Sequence, residues 1–249
     1  MQILGIDIGG SGIKGAIVDI EKGELVTDRF RIPTPDSGKP RPIAKTVNNV
    51  VKHFDWHGPV GCGFPAVVRQ GSVLTAANIH KSWIGTQVET LFSETCGCPF
   101  KVINDADAAG LAEMAFGAGR DRKDVVVLVT IGTGLGTAVF TSGQLLPNAE
   151  FGHIEIECQD AEITTSDAAR KRENLSWKKW GRRFNTYLSR LEALLWPDLI
   201  ILGGGTAKNF ADFAPYLKVH TPVVAAEFLN EAGIVGAALA AKGLAPSGE

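Results

Sequence analysis

Four stretches of the chain group side chains in ways that could do chemistry. Asp7-Ile8-Gly9-Gly10-Ser11-Gly12-Ile13-Lys14-Gly15 and Thr130-Ile131-Gly132-Thr133-Gly134-Leu135-Gly136 are glycine-rich turns. Glycine permits positive φ and close approach, so the N–H groups of such turns can point at phosphate oxygens. Asp7 ends the segment before the first turn, where it could hold a Mg2+ through water, and Lys14 could meet the reacting end of a phosphate donor. Asn104-Asp105-Ala106-Asp107 links a strand-like segment to a helix-like one. Short polar residues there can cap the helix; a carboxylate there could also take the proton of a hydroxyl that attacks phosphorus. Finally, Lys171, Arg172, Lys178, Lys179, Arg182 and Arg183 form a basic stretch, with positions 178, 179, 182 and 183 on one helical face. That face is either a solvated surface or a track for a polyanion.

The elements that must position these groups follow from periodicity. Gln2–Ile8, a glycine turn, an extended stretch from Ala16, a turn at 21–24 and an extended Leu25–Ile32 read as strand, turn, strand, turn, strand. Ile43, Val47, Val50, Val51 and Phe54 recur at helical spacing. Val60–Phe64 and Lys101–Ile103 read as buried strands, with helices over Val88–Thr95 and Ala106–Ala115. The pattern then restarts: Val125–Ile131, the second glycine turn, and a strand through Val139. A long amphipathic helix is expected over Trp177–Leu195, with Trp177, Trp180, Phe184, Leu188 and Leu191 on one stripe. A strand at Leu199–Leu202 runs into Gly203-Gly204-Gly205, with helices at Phe210–Leu217 and Ala232–Ala241 flanking a strand at Val219–Val224.

The same device thus occurs twice, which predicts a duplicated α/β fold: an N-terminal lobe over 1–118, a C-terminal lobe over 119–249, and a cleft faced by one glycine turn from each. The first turn matches G-x-G-x-x-G, but a dinucleotide fingerprint needs a helix next and Ala16-Ile17-Val18 is extended, which disfavours a dehydrogenase. A Walker A loop fails as well, because Lys14 lies between Ile13 and Gly15. A plain tight hairpin remains the bland alternative for one turn alone; two such turns favour phosphate binding.

At 249 residues with 45% hydrophobic and 21% charged residues, the chain can bury a core. Its net charge of −2 gives no general attraction for nucleic acid. The N-terminal segment lacks the marks of a signal peptide, no apolar run suits a membrane helix, and four cysteines make no disulfide scaffold, so a cytoplasmic enzyme is expected.

The first glycine motif resembles the first phosphate motif of the ROK family of sugar kinases, Thr130–Gly136 resembles its second, and Leu202-Gly203-Gly204-Gly205 resembles its adenosine-side strand end. The resemblance runs through nearly the whole chain and is greatest to the polyphosphate-using glucokinase branch, through Asn78–Thr86 and Asp160-Ala161-Glu162. It implies an actin-like (ribonuclease H-like) fold of two lobes, phosphate binding by Asp7, Gly9, Gly10, Ser11, Gly12, Lys14, Thr130, Gly132, Thr133, Gly134 and Gly136, and Mg2+ as cofactor. It puts the catalytic base on Asp105 and sugar contacts on Asn104 and on Glu150 and His153 of an E-x-G-H motif; Asn78 can supply a further hydroxyl partner, and Gly63-Phe64-Pro65-Ala66 resembles a segment lining the sugar pocket. The family's cysteine-rich zinc loop is missing: only Cys158 lies near, while Glu162 and Ser166 resemble the end of that segment, so a shortened loop without zinc is expected, with Glu162 retained as a sugar contact. The implied partners are glucose, inorganic polyphosphate with Lys178, Lys179, Arg182 and Arg183 as its track, ATP as an alternative donor near Gly203–Gly205 and Gly233, and a second copy in a homodimer. The competing readings are a strictly ATP-dependent hexokinase and a non-catalytic sugar sensor. Sensors of this family carry a helix-turn-helix module before the first phosphate motif, and here that motif begins at Asp7.

Overall fold

The computed structural model describes residues 1–244. The chain forms two compact units, Met1–Ala112 with the segment from Glu231 onward, and Glu113–Asn230.

In the first unit, β1 (Gln2–Ile8), β2 (Ile13–Asp19), β3 (Glu24–Leu25) and β4 (Phe30–Ile32) precede α1 (Pro40–His53). β5 (Val60–Phe64), α2 (Val88–Cys96), β6 (Phe100–Asn104) and α3 (Asp105–Phe116) follow, the unit boundary falling inside α3. The sheet runs β3-β2-β1-β5-β6, with β4 also pairing β2. β1–β2 is an antiparallel hairpin, whereas β5 and β6 join in parallel. Strands paired this way are covered on both faces, and all five residues of β5 are buried. α1 lays Ile43, Val47, Val50 and Val51 into the core, as their spacing predicts.

The second unit repeats the plan. β7 (Val126–Ile131), β8 (Leu135–Thr141) and β9 (Gln144–Leu146) are followed by α4 (Ala161–Thr165), α5 (Asp167–Arg172) and α6 (Trp177–Leu195), then β10 (Leu199–Gly203) and β11 (Val223–Ala225). The sheet order is β9-β8-β7-β10-β11, again an antiparallel hairpin with two parallel strands beside its first member. Trp180, Phe184, Leu188 and Leu191 of α6 are fully buried against this sheet, and Trp177 packs at their edge. The tryptophan stripe is therefore core, and the homodimer expectation rests on family resemblance alone.

The C-terminal helix (Ala232–Ala240) belongs to the first unit, unlike the N-to-C division at 118/119 read from the sequence. The reason is backbone contact: a Cβ built on Gly5 of β1 would lie 2.1 Å from the Ile234 carbonyl oxygen, and one on Gly61 of β5 1.8 Å from that of Ala237. Only strands bare at these points admit the helix so closely. Smaller departures have local causes. The extended Leu25–Ile32 breaks into β3 and β4, and β11 starts after Pro222, which lacks an N–H for the ladder. The stretch Phe210–Leu217 is one short α-turn (Phe210–Phe213) followed by a 3-10 turn at Ala214–Tyr216, around Pro215. Among the described residues no helix is long and apolar enough to cross a membrane.

Candidate active site

In the first unit the turn between β1 and β2 is closed by Gly9 N–H donating to Gly12 O at 3.1 Å. Its carbonyls face side chains: Thr34 Oγ1 donates to Gly9 O at 2.6 Å and Arg31 Nη2 to Ser11 O at 2.6 Å. Asp7 and Lys14 are cross-strand partners, and Lys14 Nζ lies 3.3 Å from Asp7 Oδ2. On its other side the Asp7 carboxylate meets the C-terminal helix, where a Cβ on Gly233 would come within 3.1 Å of Oδ1. Asp7 is thus an oxygen donor held at the turn's edge, a fit for a hard cation bound through water. Arg31 escaped the sequence reading. It sits opposite Lys14 in the β2–β4 register, with its guanidinium where a Gly12 side chain would be.

Beside this turn lies a cavity of about 510 Å3, lined among others by Gly9, Gly10, Phe64, Pro65, Asn78 and Trp83. Asn104, buried at the end of β6, takes the cap role of α3: its Oδ1 accepts from Ala106 N at 2.8 Å and Asp107 N at 3.1 Å. Its Nδ2 reaches Ala66 O at 3.4 Å, which ties it to the Gly63–Ala66 segment. Asp105 is then the first residue of α3, half-buried, with Oδ1 accepting from Ala106 N at 2.9 Å.

In the second unit the Thr130–Gly136 turn joins β7 to β8 and is held from outside. The backbone N–H groups of Asp167 and Ala168, at the start of α5, donate to Gly132 O at 3.1 and 3.3 Å. Glu162 Oε2 accepts from Leu135 N at 3.0 Å. Gly203 pairs with Thr130, and Thr206 N donates to Ile131 O at 3.3 Å, so the triple glycine lies beside the same turn. The E-x-G-H segment forms a 3-10 turn over Phe151–His153. Its glycine is required: a Cβ on Gly152 would sit 2.0 Å from Leu135 O. Thr137, buried on β8, grips both sides of Glu150, donating to Ala149 O and accepting from Phe151 N at 2.9 Å.

His153 stands between two carboxylates, with Nε2 3.7 Å from Glu150 Oε2 and Nδ1 2.8 Å from Asp160 Oδ2. Burial works against its charged form, yet the Asp160 hydrogen bond and the charges of Asp160, Glu162 and Glu150 outweigh it and hold its pKa above the ordinary value. Burial raises the Glu150 pKa; His153 opposes the rise and Glu162 adds to it. Residues 155–160 form a two-residue hairpin with Glu157 and Cys158 both at positive φ. That hairpin returns Asp160 to His153, a role the sequence reading missed because nothing local marks it. Among the described residues no group of three or more His, Cys, Asp or Glu could hold a metal ion.

Of the basic stretch, Lys171 pairs with Asp167 at 2.7 Å, a carboxylate that the preceding Arg170 shares at 2.9 Å, and Arg172 pairs with Glu173 at 3.2 Å. Arg183 pairs with Glu173 at 2.8 Å and donates to Thr164 O at 3.0 Å. Lys178, Lys179 and Arg182 are exposed on α6 and make no ion pair among the described residues.

Two sheets of one order, each carrying a glycine turn after its first strand, make the duplicated actin-like fold of sugar kinases. The chain belongs to the ROK family, whose model matches residues 3–168. It is 46% identical over 95% of its length to a polyphosphate glucokinase of Mycobacterium tuberculosis (strain CDC 1551 / Oshkosh), covering 89% of that protein. The solved inorganic polyphosphate/ATP-glucomannokinase of Arthrobacter sp. strain KM matches with a TM-score of 0.93 at 46% identity, over 96% of this chain and 97% of that one. A ROK family glucokinase from Streptomyces griseus, solved with glucose and AMPPNP, matches with a TM-score of 0.84 at 26% identity, over 98% of this chain and all of that one.

Proposed function

We propose that the chain is a glucokinase that transfers a phosphoryl group from inorganic polyphosphate, and from ATP, to the 6-hydroxyl of glucose. The observation that carries this reading is the division of labour at the start of α3: Asn104 caps the helix, and Asp105 follows it as a half-buried carboxylate. The similarity to enzymes named for glucose and polyphosphate supports the choice of substrates.

Asp105 takes the proton of the sugar hydroxyl as the hydroxyl oxygen attacks the donor's terminal phosphorus in line. The bond from that phosphorus to its bridging oxygen breaks, and polyphosphate one unit shorter or ADP leaves. For this, Asp105 must lie within hydrogen-bond reach of the hydroxyl. Glu150, His153, Glu162, Asn78 and the amide of Asn104 serve the other hydroxyls. The N–H groups of Gly10, Ser11 and Gly12, with Lys14, receive donor phosphate at the first turn, and Thr130–Gly136 does so at the second. Asp7 would hold a divalent cation, Mg2+, through water; when bound, the ion neutralises charge on the donor phosphates. Lys178, Lys179 and Arg182 extend the reading to a polyphosphate chain. Family resemblance supports a homodimer, and the cysteine usage supports a cytoplasmic enzyme.

The test is glucose 6-phosphate formation by the purified chain with Mg2+, comparing polyphosphate and ATP. Turnover with polyphosphate is expected. Activity with ATP alone would remove the polyphosphate part, and glucose binding without turnover would favour the sensor.

A further inference from the structure

The sugar-side and phosphate-side groups of the second unit converge on one residue, Leu135. Its N–H is held by Glu162 at 3.0 Å, and its carbonyl is so close to Gly152 that no side chain fits between them. Behind both contacts stands Asp160. Its Oδ2 lies 2.8 Å from His153 Nδ1, and its Oδ1 accepts from Glu162 N at 3.0 Å, capping α4. One carboxylate thus braces the E-x-G-H turn through its histidine and the helix that presents Glu162.

We infer that Asp160 is a positioning residue for sugar recognition, fixing the ring and protonation of His153 and the placement of Glu162 against the phosphate turn. This rests on the proposed glucokinase reading. A carboxylate at Nδ1 keeps the proton on that nitrogen, so Nε2 faces the sugar and Glu150 in one defined state. The charged groups acting on the ring are Asp160, Glu150 and Glu162. The carboxylates outweigh the burial that opposes a charged ring, which agrees with the geometry. The two-residue hairpin of Glu157 and Cys158 makes the contact possible by returning the chain to Asp160 directly opposite Glu155.

The test is Asp160→Asn in the full chain. Asparagine caps a helix as well as aspartate does, so α4 and the melting temperature should be nearly kept. The KM for glucose is expected to rise about tenfold or more, the size of one charged hydrogen bond, equally with polyphosphate and ATP and with donor KM unchanged. The pH at which kcat/KM for glucose changes should move to lower values, and NMR titration should show the same fall in the His153 pKa without reference to activity. Asp160→Asn and His153→Asn should be non-additive, the double variant losing little more than His153→Asn alone. An unchanged His153 titration, or losses that multiply in the double variant, would overturn the inference. Inactivity of the unaltered chain with both donors would instead strike the glucokinase reading and leave the NMR titration to decide on Asp160.

Discussion

Replacing Asp105 by asparagine separates its proposed role as base from its structural one. The structural cost can be worked from the contacts. Asn104 keeps the cap bonds to Ala106 N and Asp107 N at 2.8 and 3.1 Å, and the new amide oxygen can accept from Ala106 N as Asp105 Oδ1 does at 2.9 Å. The helix itself loses a negative charge at its start, about 0.3–1 kcal/mol. For a chain of this size that lowers Tm by at most about 4 °C. The chemical cost is larger, because a positioned base contributes about 10²–10⁴-fold, or about 3–5 kcal/mol of barrier. The assay is steady-state glucose 6-phosphate formation with each donor, with glucose binding followed by calorimetry. The expected result is normal glucose affinity, a near-native Tm and an equal fall of kcat with both donors, since the acceptor proton is the same. A kcat within tenfold of the parent, or a loss confined to one donor, would refute Asp105 as the base.

Two further outcomes follow from the second unit. The combined reversal Lys178→Glu, Lys179→Glu and Arg182→Glu should raise the KM for polyphosphate several-fold at low salt, less at high salt, and leave ATP unaffected; equal effects on both donors would reduce α6 to a solvated face. The pH dependence of stability has one sign for Glu150 and His153, because both bind protons more tightly when folded. Their contribution is present below the ordinary values, 4.5 and 6.5, and is lost as pH rises through the raised folded values. Tm measured from pH 4 to 9 should therefore vary less in Glu150→Gln with His153→Gln than in the parent, and parallel curves would refute the assignment.

What the sequence displays are features that repeat along the chain: the apolar runs of β7 and β10, the apolar stripe of α6, and glycine turns after β1 and β7. Those patterns report local conformation and burial, which period and composition encode. It displays less of what depends on partners far apart in the chain. Arg31 reaches the first turn from 20 residues away, and Thr137 grips the peptides around Glu150 from a strand more than ten residues earlier. Neither carries a motif. The choice between cap and base at 104–107 was likewise open, because both roles call for the same residue types. Only the hydrogen bonds assign the cap to Asn104. The placement of the C-terminal helix was hidden for another reason. Its partners are the absent side chains of Gly5 and Gly61, and a missing Cβ has no hydrophobic period to read.

The two glycine turns share a backbone plan but differ electrically. The first is flanked by charged side chains, Asp7, Lys14 and Arg31, whereas the second is braced through its own backbone by α5 and Glu162. On the proposed reading, both recognise phosphate and nothing else, and phosphate is what polyphosphate and ATP have in common. Substitutions within the turns should accordingly weaken both donors alike. The ratio between donors has to be set by groups that meet what the donors do not share. On the same reading, those for ATP are Gly203–Gly205, which lie beside the second turn within the same unit. For polyphosphate the same reading calls for repeated cations, and among the described residues Lys178, Lys179 and Arg182 of the basic stretch have no carboxylate partner, whereas Arg183 is engaged by Glu173 and Thr164. On the proposed reading, donor preference is set by α6 and the triple glycine and is separable by mutation from proton removal by Asp105.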